Sequence, residues 1–124
     1  MTYEIETIVK HYLICLLWSS CDDDVYLESL FDVDYLSDEI KNKAFVDCRL
    51  FWDCAKQYLN KNLTDEMLAR IGHDLALTRN RHGAGFWDSP EVYGKQTADI
   101  LTDISHSFPE VCLYIGDDKK LYQL

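Results

Sequence analysis

Apolar residues recur at helical spacing through most of this chain, and that rhythm limits the fold more than any other feature. From about Tyr3 to Trp18, Ile5, Ile8, Val9, Tyr12, Leu13, Leu16 and Leu17 fall on one face of a helix. Thr2 is a suitable N-cap, with Glu4 in the dipole-favoured first turn. A second helix is expected from Ser37, as N-cap, to about Leu59, with Ile40, Ala44, Cys48, Phe51, Ala55 and Leu59 in one stripe. Thr64 caps a third, whose stripe Leu68, Ile71 and Leu75 continues through Gly72 to about Arg79, with Asn80 as C′ residue. An alternative ends this helix at Gly72 and makes Leu75–Thr78 a strand. After a loop over 81–90, Ala98, Ile100, Leu101 and Ile104 mark a helix from about Lys95 to Ser107, ended by Pro109. Val111–Ile115 and Lys119–Leu124 then flank Gly116-Asp117-Asp118, the signature of a hairpin. The expected class is α+β: a helix-rich single domain of about four helices with a C-terminal antiparallel β-hairpin.

The 124 residues are 48% hydrophobic, enough for a core that needs neither disulfide nor metal. Cys15, Cys21, Cys48, Cys54 and Cys112 are odd in number and include no CxxC pair, so reduced thiols in a cytoplasmic protein are expected. No basic leader precedes them, and the longest apolar stretch, Tyr12 to Trp18, is too short for a membrane span.

Charge is more discriminating. The net charge is −10, and no Lys or Arg occurs between Lys10 and Lys41. Within that interval lie Asp22, Asp23, Asp24, Glu28, Asp32, Asp34, Asp38 and Glu39. Such a surface repels nucleic-acid phosphates and anionic lipid and steers basic partners toward itself. The segment from Ser19 to Leu36 carries no helical period and reads as an irregular acidic loop.

One stretch could carry chemistry. Residues 72–88 hold His73, Asp74, Arg79, Asn80, Arg81, His82, Gly83, Gly85, Phe86, Trp87 and Asp88. His73, Asp74, His82 and Asp88 are metal-ligand types, yet His73 and Asp74 are adjacent and no HExxH spacing occurs. His73, Asp74, Arg79, Asn80, His82 and Asp88 could instead line an acid–base or anion pocket, with Arg79 on a phosphate. The preferred reading is a folding role. Gly83 and Gly85 would make a tight turn, Phe86 and Trp87 would enter the core, and Arg79 would pair with Asp88. Asp74, Asn80 and His82 would satisfy loop backbone groups. Gly83-Ala84-Gly85 lacks the third glycine of a nucleotide fingerprint, and no Ser or Cys stands in a nucleophile elbow.

Residues 72–88 resemble the GHDFxLTRNxHGAGFWD motif of a family of small bacteriophage proteins, with Leu75-Ala76 where an aromatic pair is usual. Leu113-Tyr114-Ile115-Gly116-Asp117-Asp118-Lys119-Lys120-Leu121-Tyr122 is similar to that family's closing tract, and Leu17–Asp24 to its start. The resemblance implies a phage origin and assigns no catalytic residue.

Two functions are therefore expected. The first is an acidic phage accessory protein in the host cytoplasm. It would bind and inhibit a host nucleic-acid-handling or defence protein with a basic surface, by nucleic-acid mimicry, through Asp22–Glu39. It needs no cofactor or metal, and touches neither nucleic acid nor membrane directly. The alternative is a small enzyme or nucleotide-derivative binder built on the 73–88 pocket.

Overall fold

The apolar stripes become four long helices around one core, seen here in a computed structural model that describes residues 2–19, 21–22, 25–26, 33–59, 63–81 and 84–123. Helix α1 (Thr2–Trp18) runs first, followed by a two-residue antiparallel pair, β1 (Cys21–Asp22) and β2 (Val25–Tyr26). Helices α2 (Asp38–Ala55) and α3 (Asp65–Arg79) come next, then a short α4 (Pro90–Tyr93) and α5 (Lys95–His106). Strands β3 (Leu113–Ile115) and β4 (Leu121–Gln123) form the C-terminal antiparallel hairpin, pairing Tyr114 with Tyr122. The class is α+β.

The most extensive contact is α1 against α3. Ile5, Ile8, Tyr12, Cys15 and Leu16 of α1 are buried, as are Leu68, Ile71, Leu75 and Ala76 of α3. The close approach depends on Gly72, where a Cβ would stand 2.3 Å from the Ile8 carbonyl oxygen. Only glycine fits there without moving a backbone. The third helix thus continues past Gly72 to Arg79, and Leu75–Thr78 is not a strand. The apolar stripe continues through the glycine because the glycine is itself a packing residue.

Helix caps form as the sequence prescribes. The Ser37 hydroxyl accepts a hydrogen bond from the Ile40 N–H at 3.3 Å, and the Thr64 hydroxyl accepts one from the Met67 N–H at 3.2 Å. At the other end of α3 the left-handed residue is Arg81 (φ 54°), one position beyond the expected Asn80. Helix α2 ends at Ala55 rather than Leu59, and residues Lys56–Tyr58 tighten into a 3-10 turn. Within the expected irregular acidic loop, β1 and β2 pair and residues Val33–Tyr35 form a 3-10 turn. Asp23, Asp24, Glu28 and Asp32 lie outside the described residues, as does the side chain of Asp22.

The hairpin is not an appendage. Leu36 bridges Leu121 in parallel, and the Ser37 N–H donates to the Leu121 carbonyl at 3.0 Å, so the start of α2 is tied to the last strand. Strand β1 lies against β3. The turn between β3 and β4 closes with Lys119 N–H on the Gly116 carbonyl (3.0 Å) and Gly116 N–H on the Lys120 carbonyl (2.8 Å). Its left-handed position falls on Lys119 (φ 65°), not on Gly116, Asp117 or Asp118. Among the described residues no helix is long and apolar enough to cross a membrane. Cys15 and Cys48 are buried free thiols, and Cys54 and Cys112 are exposed ones. Burial pushes the Cys15 thiol up to about 12.

Candidate functional site

The 72–88 motif divides along the phase of α3. Its inward side forms a buried polar node. Arg79, 1% exposed, donates Nη1–H bonds to Asp47 Oδ2 at 2.8 Å and to the Tyr12 hydroxyl at 3.0 Å. Its Nε and Nη2 both donate to the Pro109 carbonyl, at 3.0 and 2.8 Å, and its guanidinium lies over the Phe108 ring. The expected Arg79–Asp88 pair is therefore wrong, and Arg79 does not face a ligand pocket. Asp47, unnoticed in the sequence, is its partner from the buried side of α2. Asn80 also serves the fold, with Oδ1 accepting the Val111 N–H at 2.7 Å.

After α3 the chain turns so that Gly85 (φ 142°) sits against Thr78, whose Oγ1 would be 2.1 Å from a Cβ at that position. Thr78 Oγ1 accepts the Phe86 N–H at 3.1 Å, and Phe86 is sealed in the core, stacked on Phe51. Trp87 does not follow it inward. It is 49% exposed, because residues Phe86–Asp88 form a 3-10 turn that points consecutive side chains in different directions. Asp88 braces this turn by accepting the Gly85 N–H at 2.9 Å. His82 and Gly83 lie outside the described residues.

The outward side of α3 opens on a cleft of about 590 Å³ lined by His11, Arg70, His73, Asp74, Asp88 and Ser89, among others. Of the six residues expected in a pocket, the structure brings His73, Asp74 and Asp88 together there and sends Arg79 and Asn80 elsewhere. Asp74 does not serve loop backbone groups. Its Oδ2 accepts the Tyr93 hydroxyl at 2.7 Å and Arg70 Nε at 3.4 Å. Arg70 Nη2 also donates to Ser89 Oγ at 2.8 Å, which locks the α4 turn to α3. Burial raises the Asp74 carboxyl above its ordinary value, against the opposing pull of Tyr93 and Arg70. Burial, then the charges of Lys10 and His73, lowers His11. The Trp18 ring lies 5.8 Å from that of His73.

Sequence reasoning missed His11, Arg70, Ser89 and Tyr93. Arg70 and Asp74 stand at i, i+4, a spacing that could have been read; the other three are brought in only by tertiary packing. Among the described residues, no three His, Cys, Asp or Glu side chains gather as a metal site.

A second polar surface lies at the hairpin. Tyr114, Ile115, Gly116, Asp117, Asp118 and Tyr122 line a shallow depression of about 400 Å³. The rings of Tyr114 and Tyr122 stack at 5.9 Å, and the Tyr122 hydroxyl donates to Asp118 Oδ2 at 2.7 Å. That bond, with the Lys120 N–H on Asp118, holds the Asp118 carboxyl below its ordinary value. Beside it, through the Leu36–Leu121 bridge, stand exposed Asp34, Tyr35, Asp38 and Glu39.

No family model matches this chain, and neither a curated protein nor a solved structure matches it.

Proposed function

We propose that this protein acts by binding, as a phage accessory protein that occupies the basic surface of a host nucleic-acid-handling or defence protein in the cytoplasm. One observation carries the reading: the fold gathers carboxylates that are far apart in sequence onto one aromatic surface. The end of the acidic tract (Asp34, Asp38, Glu39) is stitched to the hairpin acids Asp117 and Asp118 by the Leu36–Leu121 bridge, and β1, where the tract begins, lies against β3. The exposed cations Lys119 and Lys120 stand at the same turn and offset part of this charge. Exposed Tyr35 and Tyr114 and half-buried Tyr122 supply ring faces among the acids. Carboxylates steer Lys and Arg from a distance, and tyrosine faces hold them at contact. Asp38 and Glu39 also favour the N-terminus of α2, so part of their charge serves the helix.

The test begins with affinity capture from host lysate and continues with association kinetics against the captured protein. Changing Asp34, Asp38, Glu39, Asp117 and Asp118 to their amides should lower the on-rate. The wild-type on-rate should fall with added salt, because screening shortens exposed-charge interactions to about 8 Å at physiological ionic strength. Nucleic acid should compete for the same partner surface. Salt-independent affinity, or unchanged kinetics in the amide variant, would refute the reading.

A further inference from the structure

The cleft on α3 holds a carboxylate oxygen that no described residue uses. Asp74 is 4% exposed, and both of its hydrogen bonds fall on Oδ2. No donor among the described residues meets Oδ1. Asp74 also lines the cleft. A ligand that supplies an N–H to this oxygen makes a charge-assisted hydrogen bond to a carboxylate that is largely shielded from water.

The remaining groups specify the ligand's sign. Arg70 is the one Lys or Arg among the described lining residues, and it is already committed to Asp74 Oδ2 and Ser89 Oγ. Against it stand Asp74, Asp88 and Glu91. The depressed basicity of His11 favours its neutral form, which adds an acceptor rather than a charge. A phosphate would therefore face three carboxylates with one engaged arginine. A cation rich in donors meets the opposite situation. The Trp18 ring beside His73 adds a flat aromatic surface next to the cleft, which suits a planar cation better than a compact ammonium.

We infer that this cleft binds a guanidinium group, through Asp74 Oδ1 and the carboxylates of Asp88 and Glu91. The group could be borne by a small guanidine or by an arginine side chain of another protein. Among the described residues the cleft and the hairpin surface share none, so the failure of one assignment leaves the other standing.

Amide-resolved NMR titration of the full chain tests this, with agmatine and the peptide Gly-Arg-Gly as guanidinium probes. Putrescine serves as the ammonium control and inorganic phosphate as the anion control. At least one guanidinium probe should give saturable shifts at Ala69, His73, Gly85 and Asp88, with a dissociation constant of about 1 mM or below. Tighter binding of the peptide identifies a protein side chain as the source, and tighter binding of agmatine a small molecule. Asp74→Asn should weaken binding about tenfold or more, since it removes a charge-assisted bond. Glu91→Gln, at an exposed position, should weaken it by a few-fold. Ala69→Phe, which fills the cleft, should abolish it. Should Asp74→Asn fail to fold, the other two variants decide. Absence of saturable shifts with both guanidinium probes overturns the inference. So does putrescine binding as tightly as agmatine, phosphate producing the cleft shifts, or indifference to Ala69→Phe.

Discussion

The two faces of α3 carry similar side chains and put them to different uses. On the inner face, Arg79 is fully enclosed and all of its partners are protein groups: Tyr12, Asp47 and Pro109. On the outer face, Arg70 is 45% exposed at its side chain, and its partner Asp74 lines a cleft with one oxygen that no described residue meets. Both arginines pair with an aspartate. The difference lies in closure: a satisfied and sealed pair fixes the fold, whereas a pair with a spare acceptor leaves something for a ligand to complete. Residue type alone does not separate the cases, but helix phase does.

The sharpest way to break this contrast is to cut the inner pair. Arg79→Ala or Asp47→Ala should each cost about 3–5 kcal/mol in chemical denaturation, because each strands a buried charge. Replacing both together with apolar residues of similar volume should recover much of that loss. A nearly neutral Arg79→Ala would mean that the node does not hold the inner face together.

Gly72 probes the same inner face without touching charge. Gly72→Ala places a methyl against the Ile8 carbonyl, so α1 and α3 must separate. A loss of about 1–3 kcal/mol is expected, despite the higher helix propensity of alanine. A stabilised variant would show that the two helices are free to shift.

On the outer face the expected effect is smaller and depends on pH. Burial raises the Asp74 carboxyl, so the folded protein binds its proton more tightly than the unfolded chain does. The favourable contribution is complete below the ordinary value of 3.8 and disappears as pH rises through the folded-state value. Asp74→Asn keeps an acceptor for Tyr93 and removes the charge. Its stability relative to wild type should therefore be most favourable near neutral pH and should decline as the solution is acidified, read from denaturation midpoints across the range. A relative stability that improves on acidification would reverse the assigned direction.

Trp87 marks the lower limit. With half its surface in water, Trp87→Ala should cost about 1 kcal/mol or less, whereas Phe86→Ala, one residue away, should cost about 3–5 kcal/mol. Equal costs would mean that the 3-10 turn does not divide the two rings as described.

These contrasts also mark what the sequence could and could not disclose. The stripes Ile5–Leu17, Ile40–Ala55 and Leu68–Leu75 were legible because burial on a helix repeats with its turn, and the Ser37 and Thr64 caps because their chemistry is local. The hairpin was legible from its turn residues, although its left-handed position was displaced to Lys119. Arg79 was assigned to Asp88 because the two are close in sequence; its true partner is 32 residues away on another helix. Trp87 was taken inward with Phe86 because adjacent aromatics suggest a single insertion, and a 3-10 turn separates them. The cleft was half legible: His73, Asp74 and Asp88 lie within one motif, but His11 and Ser89 reach it, and Tyr93 reaches Asp74, only through packing.

The Arg79 node has a further consequence, for the order of events in folding. Its three partners lie 67, 32 and 30 residues from it along the chain, on α1, on α2 and beyond α5. Three separate loops must close before the guanidinium can leave water with all its donors matched. A half-built node holds a charge that is partly desolvated and partly unpaired, so intermediate arrangements gain little from it. The node should therefore form late, after the α1–α3 contact has brought its first partner near, and act as a latch on the finished structure. Interactions made after the rate-limiting step slow unfolding more than they speed folding. On this account Arg79 chiefly sets how long the native state persists once reached, and Gly72, at the helix crossing that forms earlier, sets how readily it is reached.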